Sequence, residues 1–164
     1  MTRYPLTLAL ALAAVSPAWA QEPAVPGPAF KAIIDLKSAG SPVMSPDGQS
    51  IAFTITSTVW DENRYDTEIW LVREGEQPFQ VTRTEKGNST NPQWSPDGRW
   101  LGFLADRGEK QQIFVIRPIG GEARPLTSVS QGVQSFLWAP DGKRIAFVAD
   151  QPETAADKQR KEWY

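Results

Sequence analysis

The side chains best suited to bind a ligand are gathered in one short stretch, WDENRY, at residues 60–65. Asp61 or Glu62 can accept hydrogen bonds from a ligand's ammonium group, and Arg64 can bind a carboxylate in a charge-assisted pair. The same stretch also fits a solvated loop whose charges pair with one another. Trp60, Asp61, Glu62 and Arg64 are therefore the candidate ligand-binding residues.

Other kinds of chemistry are limited by what the chain lacks. Its 164 residues include no cysteine and no histidine, which excludes a disulfide, a zinc–thiolate site, a cysteine nucleophile and a histidine base. The formal net charge is −2 and no basic patch dominates, so the composition does not favour nucleic-acid binding. We predict no catalytic residue, no metal ligand and no cofactor within this chain.

A second acidic pattern is the triplet Pro-Asp-Gly, which occurs three times. Its aspartates, Asp47, Asp97 and Asp141, are 50 and 44 residues apart. They could be read as carboxylates for metal binding or acid–base work. A hairpin turn explains them better, because proline presets φ at the second turn position and glycine accepts a positive φ. Equivalent residues of successive repeats also lie too far apart to share one ion.

Each turn is followed by an alternating strand pattern. Large apolar residues occupy two positions of one strand face, with a small residue between them on the opposite face. A small side chain there lets a neighbouring sheet approach closely, as in the packed blades of a β-propeller. Before each turn stands Trp94, Trp138 or Met44, which we expect to pack between blades. The face residues are Ile51, Ala52 and Phe53, then Leu101, Gly102 and Phe103, then Ile145, Ala146 and Phe147.

The fold class predicted from this repeat is all-β, a partial β-propeller of about two and a half four-stranded blades. Near-continuous apolar runs at 69–72 and 113–116 supply the third strands, and short fourth strands end at Thr82 and Thr127. Blade 1 spans about 42–90, blade 2 about 91–134 and a partial blade 3 about 135–164. Blade 1 has six extra residues around WDENRY, and a loop longer than the fold requires often carries functional residues.

The segment before the repeat is a targeting signal followed by a leader. Residues 1–20 combine Arg3, an apolar run and Ala18-Trp19-Ala20, the pattern of a cleaved signal peptide. Residues 21–41 predict an extended leader and one short helix that ends at Gly40 and Pro42. The signal indicates export, to the periplasm or the exterior. No later segment is apolar enough to span a bilayer, so no membrane attachment is expected after signal cleavage.

The third repeat is followed by a polar, charged segment, QPETAADKQRKEWY. No third or fourth strand of that blade is recognisable in it, and a closed propeller needs at least about four blades. We therefore expect the chain to be a fragment of a longer protein. The alternative is a complete small β-protein that oligomerises through its open edges.

Several stretches resemble a known family. WSPDGRWLGFLADRGEKQQIFVIRPIGGEARPLT is similar to a blade of the N-terminal propeller of the prolyl oligopeptidase family of serine peptidases, in the acylaminoacyl-peptidase and dipeptidyl-peptidase branch. FKAIIDLKSAGSPVMSPDGQSIAF resembles the start of that propeller, and DKQRKEWY resembles a loop of its third blade. The resemblance covers residues 30–164. The turn-and-strand motif is also similar to TolB-like periplasmic propellers.

The resemblance implies an exported serine peptidase acting on short peptides, whose propeller caps a C-terminal α/β-hydrolase domain and restricts access to it. In some members, acidic residues of propeller loops bind the substrate's amino terminus. The catalytic serine would lie in a G-x-S-x-G elbow, which this chain lacks, so the chain alone is expected to be inactive. The alternative is a non-enzymatic, TolB-like periplasmic propeller that binds another protein.

Overall fold

The computed structural model describes residues 35–107 and 110–152. These residues form two four-stranded antiparallel sheets and one two-stranded sheet, each following chain order. Blade 1 contains β1 (Ser38–Met44), β2 (Ser50–Val59), β3 (Arg64–Arg73) and β4 (Phe79–Gln80). Blade 2 contains β5 (Ser89–Trp94), β6 (Leu101–Ala105), β7 (Gln112–Ile116) and β8 (Arg124–Pro125). Blade 3 contains β9 (Ser135–Trp138) and β10 (Ile145–Val148).

The predicted all-β, partial propeller architecture is confirmed. The signal peptide at 1–20, the extended leader and the first residues of the predicted short helix, up to residue 34, lie outside the described residues. Residues 35–40 of the predicted helical segment are described, and they are not helical. Ser38 to Gly40 belong to β1 and pair with Thr56 to Thr54 of β2. This earlier start lets β1 pair with β2 as far as Thr56.

The three Pro-Asp-Gly triplets are hairpin turns, as predicted. Gly48, Gly98 and Gly142 have φ of 74°, 68° and 66°, in the left-handed region that glycine adopts without steric strain. Each glycine N–H donates to the carbonyl three residues earlier, at 2.8–2.9 Å. The aspartates therefore serve the turn backbone. In the second turn, Asp97 accepts hydrogen bonds from the Ser95 hydroxyl at 2.6 Å and from the Arg99 N–H at 3.1 Å.

The core lies between the blades, and the alternating pattern decides which face meets which neighbour. Ala52 and Ile69 of blade 1 pack against the face of blade 2 that carries Leu101 and Phe103. The opposite face of blade 2 packs against blade 3 through Leu104, Ile113, Val133 and Phe136. Burying these apolar faces is the main favourable term that holds the blades together.

The small residue predicted for close approach has that role in blade 2. A methyl group at Gly102 would lie 3.0 Å from Phe136 Cε2 and 3.1 Å from Trp138 Nε1, closer than atoms normally pack. Trp94 and Trp138 are partly buried between blades, as predicted. For Met44 the same prediction is wrong: its side chain is 64% exposed, because no sheet within the described residues covers that face of blade 1.

Candidate functional site

The six extra residues of blade 1 lengthen a hairpin instead of forming a loose loop. Strands β2 and β3 pair over ten residues each, from Ser50↔Arg73 to Val59↔Arg64. The equivalent hairpin of blade 2 ends at Ala105↔Gln112, which corresponds to Ile55↔Glu68. Residues 56–67, called here the hairpin extension, add four pairs and project about 13 Å beyond the blade.

The end of the extension, residues 60–64, is called the tip. Trp60–Glu62 form one turn of 3₁₀ helix, and Asn63 closes it with φ 47° and ψ 46°. Asparagine tolerates this left-handed conformation better than most side chains. The hairpin therefore turns through four residues and returns in register at Arg64, so the candidate binding residues stand on a paired scaffold.

Arg64 is held by acceptors from its own chain. Its Nε lies 2.5 Å from Glu62 Oε2, one terminal nitrogen lies 3.1 Å from Asp66 Oδ1, and the other donates to the Glu85 carbonyl at 3.1 Å. The hydrogen bond from Arg64 lowers the pKa of Glu62, and the same pairing raises the pKa of Arg64. Both groups are therefore charged at neutral pH, and the guanidinium is oriented by local partners.

The other tip residues face outward. Trp60 is 49% exposed, and its indole N–H donates to Asp35 Oδ1. Asp61 is exposed and has no hydrogen bond or ion pair among the described residues. Tyr65, next to the tip, is 67% exposed. The tip thus presents Trp60 and the carboxylates of Asp61 and Glu62 to solvent, with Tyr65 exposed next to it in the chain. Carboxylates and aromatic rings are both groups that can accept an ammonium group.

A buried carboxylate that sequence reasoning missed lies at the base of the extension. Glu68 is 3% exposed and accepts hydrogen bonds from the Thr82 hydroxyl and from the N–H and hydroxyl of Thr84. Residues 82–88, called here the linker, connect blade 1 to blade 2. The signal was present in the repeat, because the aligned third strands place Glu68 opposite Gln112 and Thr82 opposite Thr127.

An open groove of about 380 Å³ lies between blades 2 and 3, beside Trp100, Trp138 and Phe147. At the interface of blades 1 and 2, the third strand of blade 2 contributes Phe114 and Ile116 to the shared core. The groove is thus the part of the next interface where blade 3 has no third strand within the described residues. It is an interblade space lined by side chains of both blades.

Two kinds of feature are absent from the described part of the chain. Residues 35–107 and 110–152 contain no group of three or more acidic side chains placed to hold a metal ion. The same residues contain no helix long and apolar enough to cross a membrane.

Comparison with known proteins identifies relatives of the propeller. The TolB beta propeller domain model matches residues 31–161. Over 105 residues the chain is 37% identical to the Bacillus subtilis protein named uncharacterized peptidase YuxL, covering 62% of this chain and 16% of that protein. It is 21% identical to dipeptidyl-peptidase 5 of Porphyromonas endodontalis, covering 64% of this chain and 15% of that protein.

Solved structures share the fold. Acylaminoacyl peptidase of Pyrococcus horikoshii matches with a TM-score of 0.62 at 19% identity, over 77% of this chain and 19% of that one. A putative TolB from Agrobacterium tumefaciens matches with a TM-score of 0.55 at 24% identity, over 73% of this chain and 40% of that one. The chain spans about one sixth of the length of the two curated relatives.

Proposed function

Because the chain belongs to the TolB beta propeller domain family, we propose that it is the N-terminal propeller portion of an exported serine peptidase that acts on short peptides. The observation that carries this proposal is the 37% identity to a Bacillus subtilis protein named as a peptidase, over 105 residues. In this proposal the catalytic centre belongs to an α/β-hydrolase domain encoded beyond Tyr164, because the chain spans only 16% of the length of the Bacillus relative and itself holds no histidine and no G-x-S-x-G. The propeller restricts access to that domain.

In this proposal the tip selects the peptide. Asp61 and Glu62 receive the substrate's amino terminus, and Trp60 contacts its first side chains. Arg64 keeps Glu62 ionised and in place, since its guanidinium donates to that carboxylate. A carboxylate that stays charged is a strong acceptor for an ammonium group. Arg64 can also attract a substrate carboxylate, although its donors are already shared with Glu62, Asp66 and Glu85.

The first experiment asks whether the intact protein is a serine peptidase. The full-length gene product is treated with a fluorophosphonate probe, and the labelled residue is located by mass spectrometry. Labelling of a serine in a G-x-S-x-G downstream of Tyr164 is the expected result. A full-length protein with no labelled serine contradicts the peptidase assignment. The mass of the mature product, expected to begin at Gln21, tests export through signal cleavage.

The second experiment tests the tip. Asp61→Asn and Glu62→Gln are expected to raise KM for peptides with a free amino terminus while leaving N-acetylated peptides unaffected. Loss of one charge-assisted hydrogen bond corresponds to roughly a tenfold change. Glu122→Gln, an exposed glutamate between β7 and β8, is the matched control. Equal effects on both kinds of peptide contradict recognition of the amino terminus.

A protein-binding propeller without enzymatic activity is the second candidate, favoured by the family model and by the structural match to a putative TolB. Each candidate makes a different prediction about the coding sequence after Tyr164. Further Pro-Asp-Gly repeats and then a stop codon support the binding propeller. A G-x-S-x-G followed by aspartate and histidine supports the peptidase.

A further inference from the structure

Glu68 lies at the base of the hairpin extension, where the linker folds back along the outer edge of β3. We propose that Glu68 is the positioning residue for the tip: it fixes the linker, and the linker fixes Arg64 and the returning strand. The part that concerns peptide binding rests on the function proposed for the tip. The positioning itself rests on the hydrogen bonds that join Glu68, the linker and the extension.

The first step is the attachment of the linker to Glu68. Both carboxylate oxygens are used, since Oε2 accepts from the Thr82 hydroxyl and Oε1 accepts from the N–H and hydroxyl of Thr84. The Thr82 hydroxyl also accepts from the Ile69 N–H at 2.8 Å, which ties the network to the strand. A buried carboxylate is tolerated only when its oxygens are hydrogen-bonded, so the linker cannot move away without a large penalty.

The second step is the contact between the linker and the extension. Glu85, next to Thr84, supplies the carbonyl that accepts from Arg64 at 3.1 Å. Farther along, Asn88 Oδ1 accepts from the Thr67 N–H at 2.9 Å. Thr67 is the last residue of the extension before the blade proper. The linker therefore holds the extension at both ends, at the tip through Arg64 and at the base through Thr67.

Blade 2 contains the same network without an extension. Gln112 Oε1 accepts from the Thr127 hydroxyl at 2.8 Å and from the Val129 N–H at 3.0 Å, while its Nε2 donates to the Val129 carbonyl. Its hairpin ends at Ala105↔Gln112. The shared part of the network is therefore structural. Blade 1 differs because its network continues through the linker to the projecting hairpin. Gln112 is therefore the matched control residue.

The experiment compares Glu68→Ala, Glu68→Gln and Gln112→Ala in the full-length protein. Amide hydrogen exchange is measured at Thr67, Arg64 and Thr84, together with kcat and KM for free-amino peptides. Glu68→Ala is expected to speed exchange at these positions and to raise KM about fivefold with kcat unchanged, because the role proposed for the tip is to bind the peptide's amino terminus. Glu68→Gln keeps one acceptor oxygen and should restore much of both properties.

Gln112→Ala is expected to speed exchange near Thr127 while leaving the extension and KM unchanged. Equal increases in KM for Glu68→Ala and Gln112→Ala overturn the proposal, because they indicate general loosening of the propeller. Unchanged exchange in the extension of Glu68→Ala also overturns it. If Glu68→Ala does not fold, exchange in Glu68→Gln is compared with exchange in the wild type. Faster exchange at Thr67 and Thr84 in Glu68→Gln supports the proposal, and unchanged exchange contradicts it.

These outcomes separate the two proposals. If exchange at the extension rises in Glu68→Ala but Asp61→Asn and Glu62→Gln leave KM unchanged, Glu68 positions the tip and the proposed role of the tip in peptide binding is wrong. If the tip variants raise KM but Glu68→Ala changes neither exchange nor KM, peptide binding stands and positioning by Glu68 is wrong.

Discussion

The indole Nε1 of Trp94 donates a hydrogen bond to the carbonyl oxygen of Val43 at 3.1 Å, joining blade 2 to blade 1. Trp138 repeats this bond to the carbonyl of Gln93 at 3.3 Å, joining blade 3 to blade 2. Val43 and Gln93 are equivalent positions, because they pair with Ala52 and Gly102 in the following strands. The same contact thus joins both pairs of successive blades.

Replacing this tryptophan by phenylalanine removes the donor and keeps most of the apolar bulk. Trp94→Phe and Trp138→Phe are each expected to lower the free energy of unfolding by about 1 kcal/mol. The two effects should add approximately, since the bonds belong to different interfaces. Urea denaturation of the single and double variants measures this, with Tyr65→Phe at an exposed site as the control. No change in Trp94→Phe means that the indole acts only by packing.

Gly102→Ala tests the close approach of blades 2 and 3. The added methyl group meets the Phe136 and Trp138 rings at 3.0–3.2 Å, so the variant should lose roughly 1–3 kcal/mol of stability through overpacking. Gly40→Ala is the matched control, because its nearest neighbour, Thr54 Oγ1, is 3.4 Å away. Similar losses in both variants would indicate a general effect of replacing a strand glycine.

The second and third turns differ in one hydroxyl group, which can be removed from the second turn and added to the third. Ser95 Oγ donates to Asp97 at 2.6 Å and accepts from the Trp100 N–H at 3.0 Å, whereas the third turn has Ala139 at this position. Ser95→Ala should lower the free energy of unfolding by about 1 kcal/mol, and Ala139→Ser should raise it by a smaller amount. Thermal or urea unfolding of both variants checks the opposite signs.

Acid should destabilise the first two turns. Hydrogen bonds from Ser45 and Ser95 lower the pKa of Asp47 and Asp97 below the ordinary value of 3.8. A carboxyl group with a lowered pKa in the folded state stabilises the protein fully above that ordinary value. The stabilisation disappears as the pH falls through the lowered pKa. Unfolding midpoints measured from pH 6 to pH 2.5 should fall less steeply below about pH 4 in Ser45→Ala/Ser95→Ala than in the wild type.

Shortening the hairpin separates function from folding. Replacing residues 57–66 by Asn-Gly closes the strands on the Thr56↔Thr67 pair with a two-residue turn, a connection that suits antiparallel strands. The propeller should keep its far-ultraviolet circular dichroism spectrum, because the removed pairs lie beyond the blade. KM for free-amino peptides should rise to the value for N-acetylated peptides in the full-length enzyme. An unchanged KM ratio means that the tip does not select the peptide.

The turns, strand faces and blade order were predictable because each depends on residues close together in the chain. Pro-Asp-Gly defines its turn within four residues, and the alternation after it defines which face is apolar. The candidate tip was found for a related reason, since comparison of the first two repeats shows that blade 1 has six additional residues. Met44 was expected to be buried like Trp94 and Trp138, because it is bulky and occupies the equivalent position. Its actual exposure depends on whether another sheet lies opposite.

The conformation of the six additional residues could not be predicted from the repeat. Pairing across ten residues of β2 and β3 made them a projecting hairpin, and that register depends on the partner strand. The hydrogen bonds that Glu68 accepts from the linker join residues 14 and 16 positions apart, and the bond from Arg64 to the Glu85 carbonyl joins residues 21 positions apart. The propeller repeat and its additional segment could be predicted from the order of residues alone. Only folding brought Glu68, Glu85 and Arg64 into one network, because hydrogen bonds between distant residues form only after the strands have paired.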